Sequence, residues 1–120
     1  MTTIGSKAFG NCSSITSVVI PENTENIGDD AFTGCTNLTE VTINSNTIVS
    51  KNRTRTWDSK KGVYTYNTLR TIFGEQVLSY IIGNPVETIG SNAFAGCKNM
   101  TSITFPSSLK TVGYCAFAEC

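Results

Sequence analysis

The stretch that decides the fold is Ile27-Gly28-Asp29-Asp30-Ala31-Phe32-Thr33-Gly34-Cys35-Thr36-Asn37-Leu38-Thr39-Glu40-Val41-Thr42-Ile43. Its apolar, Gly and Cys positions recur 23 residues earlier, over 4–20, and again over 89–105. A further copy begins at Val112 and reaches Cys120. Self-similarity with a period of about 20–50 residues is typical of a solenoid, in which each repeat buries its apolar face on its neighbours.

The repeats divide the chain at regular positions. They run over 4–26, 27–49, 50–88 and 89–111, with a partial repeat at 112–120. The third repeat is longer than the others because it contains an insertion of 16 residues. We therefore expect a single repeat domain over 1–120, excerpted from a longer array.

Each full repeat contains a segment in which apolar and polar residues alternate. It also contains a turn segment whose residues recur at fixed spacing from repeat to repeat. Ile15-x-x-Val18-x-Ile20 alternates apolar residues with polar ones, which is the period-2 pattern of a half-buried strand. We predict parallel strands near 15–20, 38–43, 77–82 and 100–105. The Ala-Phe pairs predict short helical turns on the opposite side, with Ser6, Asp29 and Ser91 as candidate caps.

The large side chains of the turns predict an aromatic column through the core. Its members recur with the repeat: Phe9, Phe32, Phe94 and Phe117. The third repeat has Arg70 and Thr71 at the Ala-Phe positions, so Ile72 and Phe73 are expected to refill this part of the core one step out of register.

The cysteines share one repeat position in four cases: Cys12, Cys35, Cys97 and Cys120. Stacked repeats lie about 5 Å apart, so both buried free thiols and bridged neighbours are compatible with this ladder. Cys115 lies off the ladder and is predicted to be exposed and the most reactive. The chain has no His and no close Cys pair, which argues against a zinc site.

The charge balance excludes some partners. Nine basic and nine acidic residues give zero net charge, which provides no general attraction to nucleic acid or to an anionic membrane. Residues 44–76 nevertheless carry six Lys and Arg against two acids, a net +4, and the remainder carries −4. No apolar run approaches the roughly 20 residues of a membrane-spanning helix.

The repeat pattern Ile-Gly-x-x-Ala-Phe-x-x-Cys-x-x-Leu-Thr-x-Val-x-Ile resembles the BspA-like class of leucine-rich repeats over most of 1–49 and 77–120. This resemblance implies a leucine-rich-repeat solenoid, an α/β fold with one parallel strand per repeat and helical turns opposite. It also implies a secreted or cell-surface location and a role in adhesion to host matrix proteins, other bacteria or epithelial surfaces. It supplies no catalytic residues.

An enzymatic function is not predicted. Without His, neither a Ser-His-Asp nor a Cys-His arrangement is available. Asp29-Asp30 is the only adjacent acid pair, and its members are interpreted as a cap and a solvated charge. The glycines recur with the repeat and form no nucleotide-binding motif, so no cofactor is expected.

The insertion is the candidate binding site. Residues 53–66 form two alternating arms around a turn, in which Asp58 begins the turn and Gly62 supplies positive φ. Trp, Tyr and Arg are frequent anchors of protein interfaces. The predicted ligand-binding residues are Arg53, Arg55, Trp57, Lys60, Lys61, Tyr64 and Tyr66. The expected partner is an acidic glycan or an acidic patch of a host or neighbouring-cell surface protein; alternatively, the aromatics only cover the altered third repeat.

Two further surfaces deserve a test. The exposed face of the predicted sheet is small and largely hydroxylated: Thr16, Val19, Thr39, Thr42, Ser79, Ile81, Ser102 and Thr104. The uncapped end repeats predict end-to-end self-association. The sequence thus predicts a non-enzymatic recognition or adhesion module, with a spacer that has no ligand as the first alternative and an intracellular scaffold as the second.

Overall fold

Each regular repeat forms one turn of a solenoid in the computed structural model, which describes residues 3–5, 8–28 and 31–120. The elements, in chain order, are β1 (Thr3–Ile4), β2 (Ser17–Ile20), β3 (Asn26–Ile27), β4 (Glu40–Ile43), α1 (Asn46–Ser50), β5 (Thr54–Asp58), β6 (Val63–Asn67), α2 (Leu69–Phe73), β7 (Ser79–Ile82), β8 (Thr88–Ile89), β9 (Ser102–Thr104) and β10 (Thr111–Val112). The predicted leucine-rich-repeat architecture is confirmed.

The main sheet is parallel and has the strand order β2-β4-β7-β9. Its register follows the repeat, since Val18 pairs with Val41 and, across the insertion, Val41 pairs with Tyr80. The strands begin two residues later than predicted. A bulge precedes β4, β7 and β9: before β4, for example, the amides of Thr39 and Glu40 both donate to the carbonyl of Thr16, at 3.0 and 3.2 Å.

A second set of short strands was not predicted. β1 pairs with β3, and β8 pairs with β10, both in parallel. At the boundary of the second and third repeats α1 occupies the equivalent place, where the amide of Gly90 donates to the carbonyl of Val49 at 2.9 Å. The helix begins there because the hydroxyl of Ser45 accepts a hydrogen bond from the amide of Ile48 at 3.2 Å.

The Ala-Phe segments form consecutive tight turns. The amide of Ala31 donates to Gly28, and that of Cys35 donates to Phe32, so the bonds are of the i to i+3 kind. The short helical turns predicted here are therefore hydrogen-bonded turns without a continuous α-helix. Of the predicted caps, Ser6 and Asp29 lie outside the described residues, as does the pair Asp29-Asp30. The hydroxyl of Ser91 makes no capping bond within the described chain. The main-chain amide of Ser91 donates to Asn52 Oδ1 at 3.0 Å.

The aromatic column is continuous through the core. Phe9 stacks on Phe32 with ring centroids 5.1 Å apart, and Phe94 stacks on Phe117 at 5.5 Å. Phe73 lies 5.1 Å from Phe32 and fills the third repeat, as predicted, although it stands two positions beyond the regular Phe site and not one. Strand β7 supplies the remaining ring, since Tyr80 lies 6.2 Å from Phe73 and 4.9 Å from Phe94.

The cysteines are free thiols in the structure. Cys35 and Cys97 are buried, Cys12 is half-buried and Cys120 is exposed, so the interpretation as buried thiols holds for the inner repeats. The prediction that Cys115 is exposed is wrong. Its thiol is half-buried because the guanidinium of Arg55 lies over it, with Nη2 3.6 Å from Sγ.

Candidate functional site

The insertion is an antiparallel hairpin, as predicted. Strands β5 and β6 pair in the register Arg55 with Tyr66 and Trp57 with Tyr64. Side chains alternate between the two faces of a strand, and directly paired residues share a face. Arg55, Trp57, Tyr64 and Tyr66 therefore lie together, and we call this set the aromatic face. The opposite face carries Thr56 and Thr65.

The rings of the aromatic face contact one another in a row. Trp57 meets Tyr64 edge to face with centroids 5.0 Å apart, and Tyr64 lies 6.2 Å from Tyr66. The guanidinium carbon of Arg55 lies 4.6 Å from the centroid of Tyr64, and that of Arg70 lies 4.7 Å from the centroid of Tyr66. These cation–π contacts fix the orientation of the tyrosine rings. Trp57, at the outer end of the row, remains 54 % exposed.

The turn of the hairpin has the chemistry that the sequence predicted. Asp58 Oδ1 accepts hydrogen bonds from the amides of Lys60 and Lys61, at 3.0 and 3.2 Å. Gly62 adopts φ +69°, a conformation that side chains disfavour. The carboxylate of Asp58 is thus engaged with the main chain, while the side chains of Lys60 and Lys61 are exposed at the tip.

Both ends of the hairpin are attached to the fourth repeat. Before β5, the amide of Arg53 donates to the carbonyl of Ser91 at 2.7 Å. After β6, the Thr68 hydroxyl donates to the carbonyl of Ala95, and the amide of Leu69 donates to that of Ala93, both at 2.9 Å. Since these bonds use main-chain groups of a regular turn, they hold the hairpin at a defined place along the turn side of the solenoid.

Contacts with the fourth and fifth repeats keep the aromatic face near the body of the solenoid. Arg55 forms an ion pair with Glu119, in the partial fifth repeat. Tyr66 lies over Gly96, where a Cβ atom would be 2.8 Å from Tyr66 Cε1. Gly96 also has φ +82°, so both the backbone conformation and the contact with Tyr66 favour glycine. Burial, and then the carboxylate of Glu119, raise the pKa of the Tyr66 phenol, which stays protonated at neutral pH.

Arg53 does not join the aromatic face. Its Nη2 donates to the carbonyl of Ile48 at 3.1 Å, at the end of α1, and its carbonyl accepts from Asn92 Nδ2 at 3.1 Å. Burial lowers the pKa of this guanidinium. The structure therefore gives Arg53 a role in joining α1, the hairpin and the fourth repeat.

Some charged side chains near the hairpin form ion pairs, and others do not. Glu119 pairs with Arg55, and Glu75 pairs with Arg70. Among the described residues, the side chains of Lys60, Lys61 and Lys98 form no ion pair. These three cations outnumber Asp58, whose carboxylate is hydrogen-bonded to main-chain amides and not to a cation. The net charge left beside the hairpin is therefore positive, and it favours an anionic partner.

Sequence reasoning missed the residues of the body that face the hairpin. Arg70, Lys98 and Glu119 belong to the repeats, and they approach the aromatic face because the hairpin folds along the turn side. The sequence did contain one sign that Glu119 is unusual. The equivalent positions of other repeats are Asn11, Gly34 and Gly96. These three residues and Glu119 all have positive φ. Glutamate is unfavourable at such a position, and here its carboxylate forms the ion pair with Arg55.

The exposed face of the main sheet is a second, simpler surface. Val19 is 61 % exposed, and the hydroxyls of Ser79 and Ser102 lie 3.0 Å apart on neighbouring strands. The predicted outward orientation of Thr42 and Ile81 fits the register, because they pair in one row beside Val19 and Thr104. This row carries no charge, so it can fit the shape of a partner but provides little specificity.

Comparison with known families identifies the repeat. The model of the BspA type leucine rich repeat region matches residues 1–57 and 66–120, in six copies. The chain belongs to this family. Residues 58–65, which include the hairpin turn, lie outside the family match. The tip of the hairpin is therefore not part of the repeat pattern that the family shares.

Two solved structures of bacterial leucine-rich-repeat proteins resemble this one. A leucine-rich repeat protein from Bacteroides ovatus is 25% identical with a TM-score of 0.53, and the match covers 100% of this chain and 33% of that one. A leucine rich cell surface protein from Faecalibacterium prausnitzii is 22% identical with a TM-score of 0.40, covering 100% and 37%. The chain thus spans about a third of the length of each. No curated protein matches it significantly.

The described part of the chain contains no helix long and apolar enough to cross a membrane.

Proposed function

We propose that this chain is a non-enzymatic recognition module of a cell-surface or secreted protein, and that its hairpin contacts an acidic partner. The family match supports a leucine-rich-repeat module, and the sequence resemblance described above implies a surface location and a role in adhesion for such modules. The partner is an acidic glycan or an acidic patch of a host matrix or neighbouring-cell protein.

One observation carries the proposal: the hairpin places its aromatic side chains on a single face while leaving cations free at its tip. Trp57 is 54 % exposed although Tyr64 and Tyr66 of the same face are half-buried. An aromatic that only covered the altered third repeat would be expected to lie against it. Phe73 and Tyr80 already fill that repeat, so the exposed ring of Trp57 is available to a partner.

The main alternative is a spacer without a ligand of its own. The attachment of both hairpin ends to the fourth repeat fits this alternative equally well, because such bonds also stabilise a purely structural insertion. The exposed face of the main sheet carries one charge, the carboxylate of Glu40, and it adds no cation that would attract an acidic partner. The free cations at Lys60 and Lys61 favour recognition, since a spacer does not need them.

The proposal is tested by removing the hairpin without disturbing its base. Thr54 and Asn67 are paired across the strands, so Arg53 and Asn67 can be joined by a short link after residues 54–66 are excised. The intact and excised chains are compared for binding to matrix proteins and to sulfated glycans at physiological salt. The bonds of Arg53 and Thr68 to the fourth repeat remain in the excised chain.

The expected result is binding by the intact chain and none by the excised chain, with both giving cooperative thermal unfolding. Equal binding by both chains would place recognition on the sheet face or a solenoid edge. If neither bound any partner while both stayed folded, the spacer alternative would replace the proposal. A double change at the tip, Lys60→Gln with Lys61→Gln, separates the loss of charge from the loss of the hairpin.

A further inference from the structure

A cleft lies beside the contact of Tyr66 with Gly96, between the aromatic face and the turn side of the third, fourth and fifth repeats. Its volume is about 390 Å³, near the lower end of the roughly 300–1,000 Å³ of small-molecule sites. The hairpin wall presents Trp57, Tyr64 and Tyr66, and the opposite side presents Arg70, Lys98 and Glu119. The cleft is therefore aromatic on one side and charged on the other.

The aromatic wall offers flat apolar surface to a ligand. The edge-to-face contact of Trp57 with Tyr64 leaves much of the indole uncovered, in agreement with its 54 % exposure. The cations that stack on Tyr64 and Tyr66 hold those rings in place, so the wall is formed before any ligand arrives. A preformed wall lowers the entropic cost of binding.

The charged side has a free cation and no free anion. Glu119 is paired with Arg55, and Arg70 is paired with Glu75. Lys98 forms no ion pair within the described chain, and its side chain is exposed. Gly62 also lines the cleft, so the tip that carries Lys60 and Lys61 borders its mouth. A ligand that completes this arrangement carries a negative charge close to a flat apolar face.

We propose that the cleft binds one acidic pyranose unit of a glycan chain, either a uronate or a sulfated sugar. This inference rests on the proposed function and narrows its partner. The C–H face of a pyranose packs on the indole of Trp57, while the carboxylate or sulfate accepts a charge-assisted hydrogen bond from Lys98 Nζ. The next anionic units of the chain reach Lys60 and Lys61 at the mouth.

The shape of the cleft favours a sugar over an acidic peptide. An Asp or Glu side chain satisfies Lys98 but brings no flat apolar face to Trp57. A neutral sugar stacks on the aromatic wall and leaves Lys98 without its anion. Among an Asp or Glu side chain, a neutral sugar and an acidic pyranose, the acidic pyranose is the one that uses both walls.

The experiment follows the fluorescence of Trp57, which is the only tryptophan of the chain. The whole chain is titrated with a heparin-derived tetrasaccharide, with neutral maltotetraose and with a Glu-rich peptide of matched charge. We expect the tetrasaccharide alone to change the emission of Trp57 saturably. Lys98→Gln should weaken its binding by about tenfold or more, the loss of one charge-assisted hydrogen bond.

A matched control is available on another part of the surface. Lys110 is exposed and lies 3.6 Å from Glu87, away from the cleft, so Lys110→Gln should leave the affinity unchanged. Equal effects of the two substitutions, or binding without a change in Trp57 emission, would overturn the cleft site while leaving the proposed function in place. Tighter binding of the peptide than of the tetrasaccharide would overturn the proposal that the ligand of the cleft is a sugar. Failure of every acidic probe would overturn both.

Discussion

The thiol of Cys35 donates a hydrogen bond to the main-chain carbonyl of Phe9 in the preceding repeat, with Sγ 3.0 Å from the oxygen. The same relation recurs at the other end of the solenoid, where Cys120 Sγ lies 3.1 Å from the carbonyl of Phe94. Cysteine at this position thus combines a small apolar body with a donor that links consecutive turns. This bond gives the thiol a role at Cys35 and Cys120 that does not depend on a disulfide.

We predict that Cys35→Ala lowers the free energy of unfolding by about 1–3 kcal/mol, because it leaves a small cavity and removes the bond to Phe9. Cys12→Ala is the matched control at the same repeat position. Cys12 is half-buried, and its Sγ lies 3.9 Å from the Gly10 carbonyl, so its loss should cost less. Urea unfolding measures both, and equal costs would contradict the role of the inter-repeat bond.

Stability should fall at alkaline pH because of Cys97. Burial raises the pKa of this thiol from 9.0 to about 12 in the folded state. The unfolded chain therefore loses the proton from about pH 9, while the folded chain keeps it to about pH 12. Unfolding releases a proton in this window, and the free energy of unfolding falls by about 1.4 kcal/mol per pH unit for this group.

The test is urea unfolding at a series of pH values for the parent chain and for Cys97→Val. The variant should show a shallower decline above pH 9, and Cys12→Val, which keeps Cys97, should follow the parent chain. Identical pH profiles for Cys97→Val and the parent would contradict the assignment to this thiol.

Gly96 should determine whether the hairpin packs on the fourth repeat. Gly96→Ala introduces a residue at φ +82° and places its Cβ against the ring of Tyr66. Gly62→Ala is the matched control, since Gly62 has φ +69° and no atom within 4 Å of an added Cβ. Each substitution incurs roughly 1–2 kcal/mol of backbone strain.

Only Gly96→Ala is expected to displace the aromatic face, and this should appear as increased solvent access of Trp57 to an aqueous fluorescence quencher. A similar change in both variants would indicate that strain in the backbone, and not the contact with Tyr66, is responsible.

Self-association is predicted through the apolar ends of the solenoid. Phe105 and Val112 are 44 and 51 % exposed near one end, and β2 and β9 are the outer strands of the main sheet. Sedimentation over a wide concentration range should show assembly that Val112→Lys weakens. Val63→Lys is the control, because Val63 has the similar exposure of 52 % but lies on the hairpin. A monomer at every concentration would contradict the prediction.

Features that repeat or alternate along the chain could be predicted from the sequence. The 23-residue period predicted the pairing of Val18 with Val41, and alternation in the insertion predicted the hairpin formed by β5 and β6. Features that depend on packing between distant segments could not. Nothing local indicates that Tyr80 completes the aromatic column, or that Arg55 reaches Glu119 across two repeats.

Arg53 shows the limit of composition as a guide to binding. It belongs to the same basic segment as Lys60, yet its guanidinium is used inside the fold at the Ile48 carbonyl. The residues that remain free for a partner are those that the structure leaves without an acceptor: Lys60, Lys61 and Lys98 in the described part of the chain.

The most direct measurement is the salt dependence of heparin binding by the parent chain and by the double variant Lys60→Gln, Lys61→Gln. Both lysines are exposed at the hairpin tip, so the fold should be preserved. Because exposed charges are screened by salt, the parent should lose affinity steeply as the salt concentration rises. The variant should bind more weakly at low salt and show a flatter dependence. Unchanged affinity and slope would contradict the assignment of recognition to the hairpin.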